Sequence, residues 1–235
     1  MATGERRGSA RTAVVWDALD RVLAGEPRDV LDVGGGTGGF AVRVAELGHR
    51  VTVVDPSPDA LASLGRRARE AGVEVTGRQG DLADLAAEPK SADLVLCHGV
   101  LEVVDPGEAL ARIREVLRPG GQLSLLVAGR HSAVVTRAMA GHFQQALALL
   151  DGDDGARTGG RTGRRFTADE VRGLLEGAGF TTRATHAVRV FTDLVPGSLL
   201  DLEPGSSAAL TELERAVAER PEYLPLAAQL HFLAD

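Results

Sequence analysis

"LDVGGGTGGF", residues 31–40, decides the fold. A short run of β-strand formers ends in five glycines, so the backbone is free to turn tightly and to let a ligand approach a following helix without a Cβ in the way. Two templates fit the glycines equally well. Gly34, Gly36 and Gly39 spell the G-x-G-x-x-G of a dinucleotide site, and Asp32 with Gly34, Gly36 and Gly38 spells the D-x-G-x-G-x-G of a nucleoside loop. The residues around the loop must choose between them.

Outward from the loop, near-continuous apolar runs alternate with amphipathic stretches, the pattern of a parallel sheet covered by helices on both faces. Strands are expected over 29–34, 50–55, 73–81, 92–99 and 122–129. Helices are expected over 38–49, 57–72 and 105–121, with Ser57 and Asp105 as N-caps and Arg118-Pro119-Gly120-Gly121 ending the last. An earlier helix covers 9–27. Beyond the fifth strand, 130–150 reads as helical, 151–166 as a glycine-rich, charged and mobile surface loop, 167–180 as a helix, 185–195 as a strand, 207–219 as a helix and 227–235 as a closing strand.

The chain has 235 residues, of which 44% are hydrophobic, enough to bury a sizeable core. A net charge of −7 argues against a globally nucleic-acid-binding surface, though a local basic patch remains open. The single cysteine, Cys97, makes no internal disulfide and reads as a small core residue. The N-terminus lacks the apolar core of a signal peptide and no stretch is long enough to span a bilayer, so a cytoplasmic protein without membrane contact is expected. His49, His142, His186 and His231 read as packing or surface residues, too dispersed for a metal site.

Three features separate the templates. Asp32 stands inside the first strand, where a dinucleotide fold has an apolar residue and where a carboxylate is costly without donors or a cation. A sulfonium-bearing amino acid offers an ammonium group that such a carboxylate stabilises. Asp81, just after the third strand, can accept from the exocyclic amine of an adenine while Leu82 offers its backbone N–H. Asp55, about twenty residues beyond the loop and followed by Pro56, suits ribose hydroxyls in either template. Finally, residues 96–126, with their L-R-P-G-G turn, resemble the post-loop segment of class I methyltransferases. Together these favour S-adenosyl-L-methionine over NAD.

Over nearly its whole length the sequence resembles the bacterial tRNA 5-carboxymethoxyuridine methyltransferases. The resemblance is carried by "RTAVVWDALDRVLA" (11–24), "LDVGGGTGGFAVRVAELGH" (31–49), "CHGVLEVV" (97–104), "LRPGGQLSLL" (117–126), "AMAGHF" (138–143), "VRVFTD" (188–193) and "LTELE" (210–214). The glycine loop and L-R-P-G-G are generic to class I enzymes, whereas the first and the V-R-V-F-x-D segments belong to this branch. The resemblance implies a Rossmann-like, seven-stranded, mostly parallel sheet with helices on both faces. It implies one methyltransferase domain over 1–235, with a helical cap over 9–25 and a helix-plus-loop insertion over 130–166. It also implies that Arg11, Gly34, Gly35, Asp55, Asp81, Leu82 and His98 contact the cofactor; Asp32, Gly36 and Pro56 complete the expected set. Departures stand at Ala128-Gly129, Val103 and Leu194, where the family carries a Tyr-Asn pair, an aromatic and a tyrosine.

The expected reaction is methyl transfer to an oxygen nucleophile, a carboxylate being the first choice. Such an acceptor is already ionised at neutral pH and needs a cation rather than a general base. Arg189, at the end of a late strand, is the candidate cation and His131, after the fifth strand, a secondary one. The acceptor stays open between modified tRNA and a small molecule of specialised metabolism, and a non-catalytic cofactor-binding module is a third reading. A monomer or a homodimer is expected.

Overall fold

The structure, a computed structural model, describes residues 2–82, 84, 89–150, 163–202 and 205–235. Seven strands, β1 (Asp29–Val33), β2 (Arg50–Asp55), β3 (Thr76–Gln79), β4 (Ala92–His98), β5 (Leu117–Ala128), β6 (Thr182–Val188) and β7 (Gln229–Ala234), form one sheet in the order β3-β2-β1-β4-β5-β7-β6. β1 is parallel to β2 and β4, and β2–β3 and β4–β5 are parallel too. Thr181 exchanges backbone bonds with Asp235, and the Ala228 N–H donates to the Arg189 carbonyl, the pairing of antiparallel β6 and β7. The expected seven-stranded, mostly parallel sheet is what the chain forms.

The chain divides into two compact units. Unit 2 comprises Asp20–Leu126, Gly173–Arg183 and Phe232–Asp235. Its strands are buried on both faces, as in β4, where Leu94, Val95, Leu96 and Cys97 are all fully buried. Cys97 is thus the core residue that the sequence suggests, and burial pushes its thiol well above the usual range. The helices α2 (Ala41–Glu46), α3 (Pro58–Ala71) and α4 (Pro106–Val116) belong to this unit. Ser57 and Asp105 cap α3 and α4 as expected, their side chains accepting from the N–H of Ala60 and Glu108.

Unit 1 comprises Met1–Leu19, Val127–Arg172 and Ala184–His231. It contains α5 (Arg130–Met139), α6 (Phe143–Leu150), α8 (Gly197–Leu202), α9 (Ser206–Val217) and most of α1 (Ala2–Val22), and α7 (Ala168–Gly177) begins in it. Phe166, at the end of the expected loop, is buried and bridges to Gly129, its N–H donating to the Ala128 carbonyl. Residues 151–162 of that loop, with Arg157 and Arg161, lie outside the described residues.

The helix expected over 9–27 runs Ala2–Val22 and the strand expected over 73–81 is Thr76–Gln79; three further boundaries differ for physical reasons. L-R-P-G-G belongs to β5 rather than to a helix end, because Leu117 already pairs with Ala92 and a register shift before the Leu94–Gln122 pair absorbs the intervening residues. The single helix expected over 130–150 breaks at 140–142, where Gly141 has φ +77°. The strand expected to reach 195 stops at Val188, because Arg189 takes φ +59°. Among the described residues, no helix is long and apolar enough to cross a membrane.

Candidate active site

The strand order reverses beside β1: β2 and β3 lie to one side and β4 and β5 to the other. In open α/β sheets the crevice at the carboxyl ends of such strands is where ligands bind. Unit 2 places Gly34–Gly36 after β1, Asp55 at the end of β2, Asp81 after β3 and His98 at the end of β4. The sequence thereby delivers its glycines, two of its carboxylates and a histidine to one edge of the sheet.

Packing explains the glycines. A Cβ on Gly35 would stand 2.4 Å from Asp32 Oδ2, so the turn folds directly over the buried carboxyl. Gly36, with φ +55°, donates its N–H to Asp55 Oδ2 at 2.9 Å. The other Asp55 oxygen accepts from the Ser57 N–H at 2.8 Å, and the Asp55 carbonyl accepts from Gly80 N–H at 3.3 Å. Asp55 thus ties together the glycine loop, the turn into α3 and the end of β3. Pro56 lies exposed beside it, its carbonyl accepting from Gln79 Nε2 at 3.4 Å.

Asp32 is only 3% exposed, and burial, reinforced by the charge of Asp55, pushes its carboxyl up to about 7. Asp81 is exposed, its N–H held by Asp84 Oδ2 at 2.8 Å, and Leu82 beside it is half-buried. His98 meets Ser124 Oγ through Nε2 at 2.9 Å and stands edge-on to the Phe40 ring at 4.7 Å between centroids. Burial pushes this imidazole down to about 4, so it is neutral near pH 7.

Unit 1 holds V-R-V-F-T-D and residues 11–19 of the N-terminal branch-specific segment. Asp193 pairs with Arg189 and, at 3.1 Å, with Arg11 of α1. Arg189 also donates from Nη1 to Gln229 Oε1 at 3.2 Å, and its buried Nε has no partner among the described residues. From α9, fully buried Glu214 accepts from the N–H groups of Val190, Phe191 and Thr192 and from Thr192 Oγ1 at 2.6–2.9 Å. The next residue, Arg215, grips Asp17 of α1 with Nε at 2.6 Å and Nη2 at 3.0 Å. The sequence alone assigns Asp193 and Glu214 no role; the signal for Asp193 is its place in the branch-specific V-R-V-F-x-D, and Glu214 stands in L-T-E-L-E, a segment shared with the family.

Arg189, Arg137 and Arg165 line a cleft of about 320 Å³ with Ser132, Thr136 and Asp193. Three guanidiniums against one carboxylate leave its lining cationic. His131 is exposed and lines a different hollow, of about 220 Å³, with Phe166, Arg172 and Leu224. Arg189 and His131 are therefore not brought to one cavity. Of the other histidines, His142 is exposed, His49 is buried and accepts from the Arg28 N–H, and His186 and His231 are buried with their Nδ1 atoms 3.0 Å apart.

Residues 30–121 match the family model described as a methyltransferase domain. The chain is 33% identical to the tRNA 5-carboxymethoxyuridine methyltransferase of Escherichia coli (strain K12), over 98% of this chain and 90% of that protein. It is 31% identical to an uncharacterized methyltransferase of Mycobacterium tuberculosis, over 83% of this chain and 71% of that one. In fold it is similar to an S-adenosylmethionine-dependent methyltransferase of Methanosarcina mazei, with a TM-score of 0.64, 17% identity and coverage of 92% and 95% of the two chains. The chain belongs to the class I S-adenosylmethionine-dependent methyltransferases, in the family of the bacterial tRNA 5-carboxymethoxyuridine methyltransferases.

Proposed function

We propose that this enzyme forms a methyl ester on a carboxylate, and that the acceptor is the 5-carboxymethoxyuridine at the wobble position of tRNA. The observation that carries the reading is the cationic cleft around Arg189. An ionised carboxylate needs charge-assisted hydrogen bonds and exclusion of water, not proton removal. Arg189 is the cation for the acceptor, with its Nη groups braced by Asp193 and Gln229. His131, in its separate hollow, is the secondary candidate. The likeness to the E. coli tRNA 5-carboxymethoxyuridine methyltransferase supports the tRNA acceptor.

The residues at the edge of unit 2 fit the cofactor. The Gly34–Gly36 turn keeps Cβ atoms away, Asp55 offers acceptor lone pairs for ribose hydroxyls, and Asp32 offers a counter-charge for the ammonium. Asp81 and Leu82 suit the adenine, and Pro56 and neutral His98 complete the contacts. When bound, S-adenosylmethionine supplies the methyl group on a sulfonium that leaves as a neutral thioether. The enzyme's own contribution is alignment and charge placement.

Labelled S-adenosylmethionine incubated with tRNA with and without 5-carboxymethoxyuridine tests the reading. Label is expected in the modified wobble nucleoside alone, in base-labile form. Label in a small carboxylic acid with none in modified tRNA would move the acceptor to the small-molecule class.

A further inference from the structure

The helical hairpin of α5 and α6 carries an exposed row, or ridge, of large apolar side chains. Val135 and Met139 on α5 are 41% and 72% exposed, and Phe143, Leu147 and Leu150 on α6 are 67%, 54% and 58% exposed. Contiguous apolar exposure of this kind marks an interaction surface more often than a free one. The ridge adjoins the cationic cleft. Ser132, Ala133, Thr136 and Arg137 line that cleft from α5. With about 100° per helical residue, Met139 projects roughly 20° from Ser132 and Val135 roughly 60° from it. The His142 N–H donates to the Arg137 carbonyl at 2.9 Å, which sets Phe143 just past the corner from Arg137.

Charge identifies the occupant. In a chain of net charge −7, residues 130–150 contain no acidic side chain but do contain Arg130, Arg137, His131 and His142. No ion pair among the described residues engages Arg137, which is half-buried on the cleft wall. An exposed aromatic ring with apolar neighbours, beside a cleft whose three guanidiniums outnumber its one carboxylate, Asp193, is the chemistry that holds unpaired nucleotides: bases stack on the ring and the cations follow the backbone. A protein partner would draw on the same apolar residues but has no need of a border on which arginines outnumber carboxylates three to one.

We propose that the α5–α6 ridge and the adjoining cleft form a docking surface for single-stranded RNA, with a base stacked on Phe143 against Met139 and a backbone phosphate on Arg137. This rests on the tRNA reading above and says which face takes the nucleotides beside the acceptor. It also supplies a stacking platform in a chain that lacks family aromatics at Val103 and Leu194.

The test uses the whole enzyme and a fluorescein-labelled anticodon stem-loop. Phe143→Ala combined with Met139→Ala is expected to weaken stem-loop binding about tenfold. It is expected to raise KM for modified tRNA while leaving kcat and S-adenosylmethionine affinity unchanged. Phe143→Tyr is expected to restore binding, and Arg137→Gln to flatten the slope of log affinity against log salt by about 0.7. Unchanged RNA affinity in the double variant, with the wild type still methylating tRNA, overturns the docking surface and leaves the proposed function intact. A wild type that binds no RNA removes both. A wild-type dimer in sedimentation that the double variant turns into a monomer, with RNA affinity kept, gives the ridge to a second copy of the chain and overturns the proposal.

Discussion

Asp32 holds a carboxyl that burial and Asp55 push up to about 7, under a glycine turn that leaves no room for a Cβ at Gly35. Its folded value lies above the ordinary 3.8, so between about pH 4 and pH 7 the folded chain binds more protons at this site than the unfolded one. Its contribution to stability therefore falls as pH rises through that window and is flat above about 7. The difference amounts to roughly 4 kcal/mol at the upper limit. Urea titrations at pH 5 and pH 8 span about two units of that window and are expected to show a loss of roughly 2.7 kcal/mol in the wild type that is absent in Asp32→Asn; parallel pH profiles for the two proteins would contradict it. A ligand ammonium favours the carboxylate form, so cofactor binding below pH 7 should release a proton and tighten with pH until about 7. Calorimetry in buffers of different ionisation enthalpy measures that release. Arg189 offers a second test at this scale, because its φ of +59° costs a non-glycine residue about 1 kcal/mol. Its ion pair with Asp193, partly exposed, returns a similar amount. Arg189→Gly should thus melt within a few degrees of the wild type while raising KM for the carboxylate acceptor about tenfold, the value of one charge-assisted hydrogen bond. A variant that folds equally well and turns over normally would remove Arg189 from the acceptor site.

At the scale of elements, α9 shapes the turn after β6 through Glu214. Four donors converge on this buried carboxylate, three of them the N–H groups of Val190, Phe191 and Thr192, which a continuing strand would have spent on a ladder. Glu214→Ala leaves these donors buried without an acceptor and should cost about 3 kcal/mol or more by denaturant titration. Thr192→Val removes one bond of the four and should cost about 1 kcal/mol. Equal effects would mean that the carboxylate does not organise the turn. The same residues explain where the sequence stops being legible. β1, β2 and β4 were readable to within a residue because their pattern is local: apolar on both faces and closed by glycine or by a capped helix. The glycine loop, Asp55 and His98 could be placed for the same reason, as residues at strand ends. The end of β6 could not, since its cause is an acceptor over twenty residues further along. L-R-P-G-G looked like a helix stop because the pairing of Leu117 with Ala92 is equally non-local. Arg189 was singled out for its charge and position, but the cleft it shares with Arg137 and Arg165 is assembled from segments far apart in the chain.

At the scale of the whole molecule, the chain passes between the two units repeatedly, and three strands are divided by the passage. β5 crosses after Leu126, β6 after Arg183 and β7 after His231. Neither unit is a continuous piece of sequence, so a cut at any boundary severs a strand or helix that the other unit also uses. Backbone continuity of this kind couples their unfolding, and a single cooperative transition is the expected behaviour. The molecule carries its own reporter, because its one tryptophan, Trp16, is buried in unit 1, whereas the proposed cofactor residues lie in unit 2. Urea curves followed by Trp16 fluorescence and by far-UV circular dichroism should superimpose. Saturation with S-adenosylmethionine at about one hundred times Kd should then move both by the same amount, about 2.7 kcal/mol. If the dichroism curve shifts and the fluorescence curve stays behind, the units unfold separately and the shared strands do not couple them.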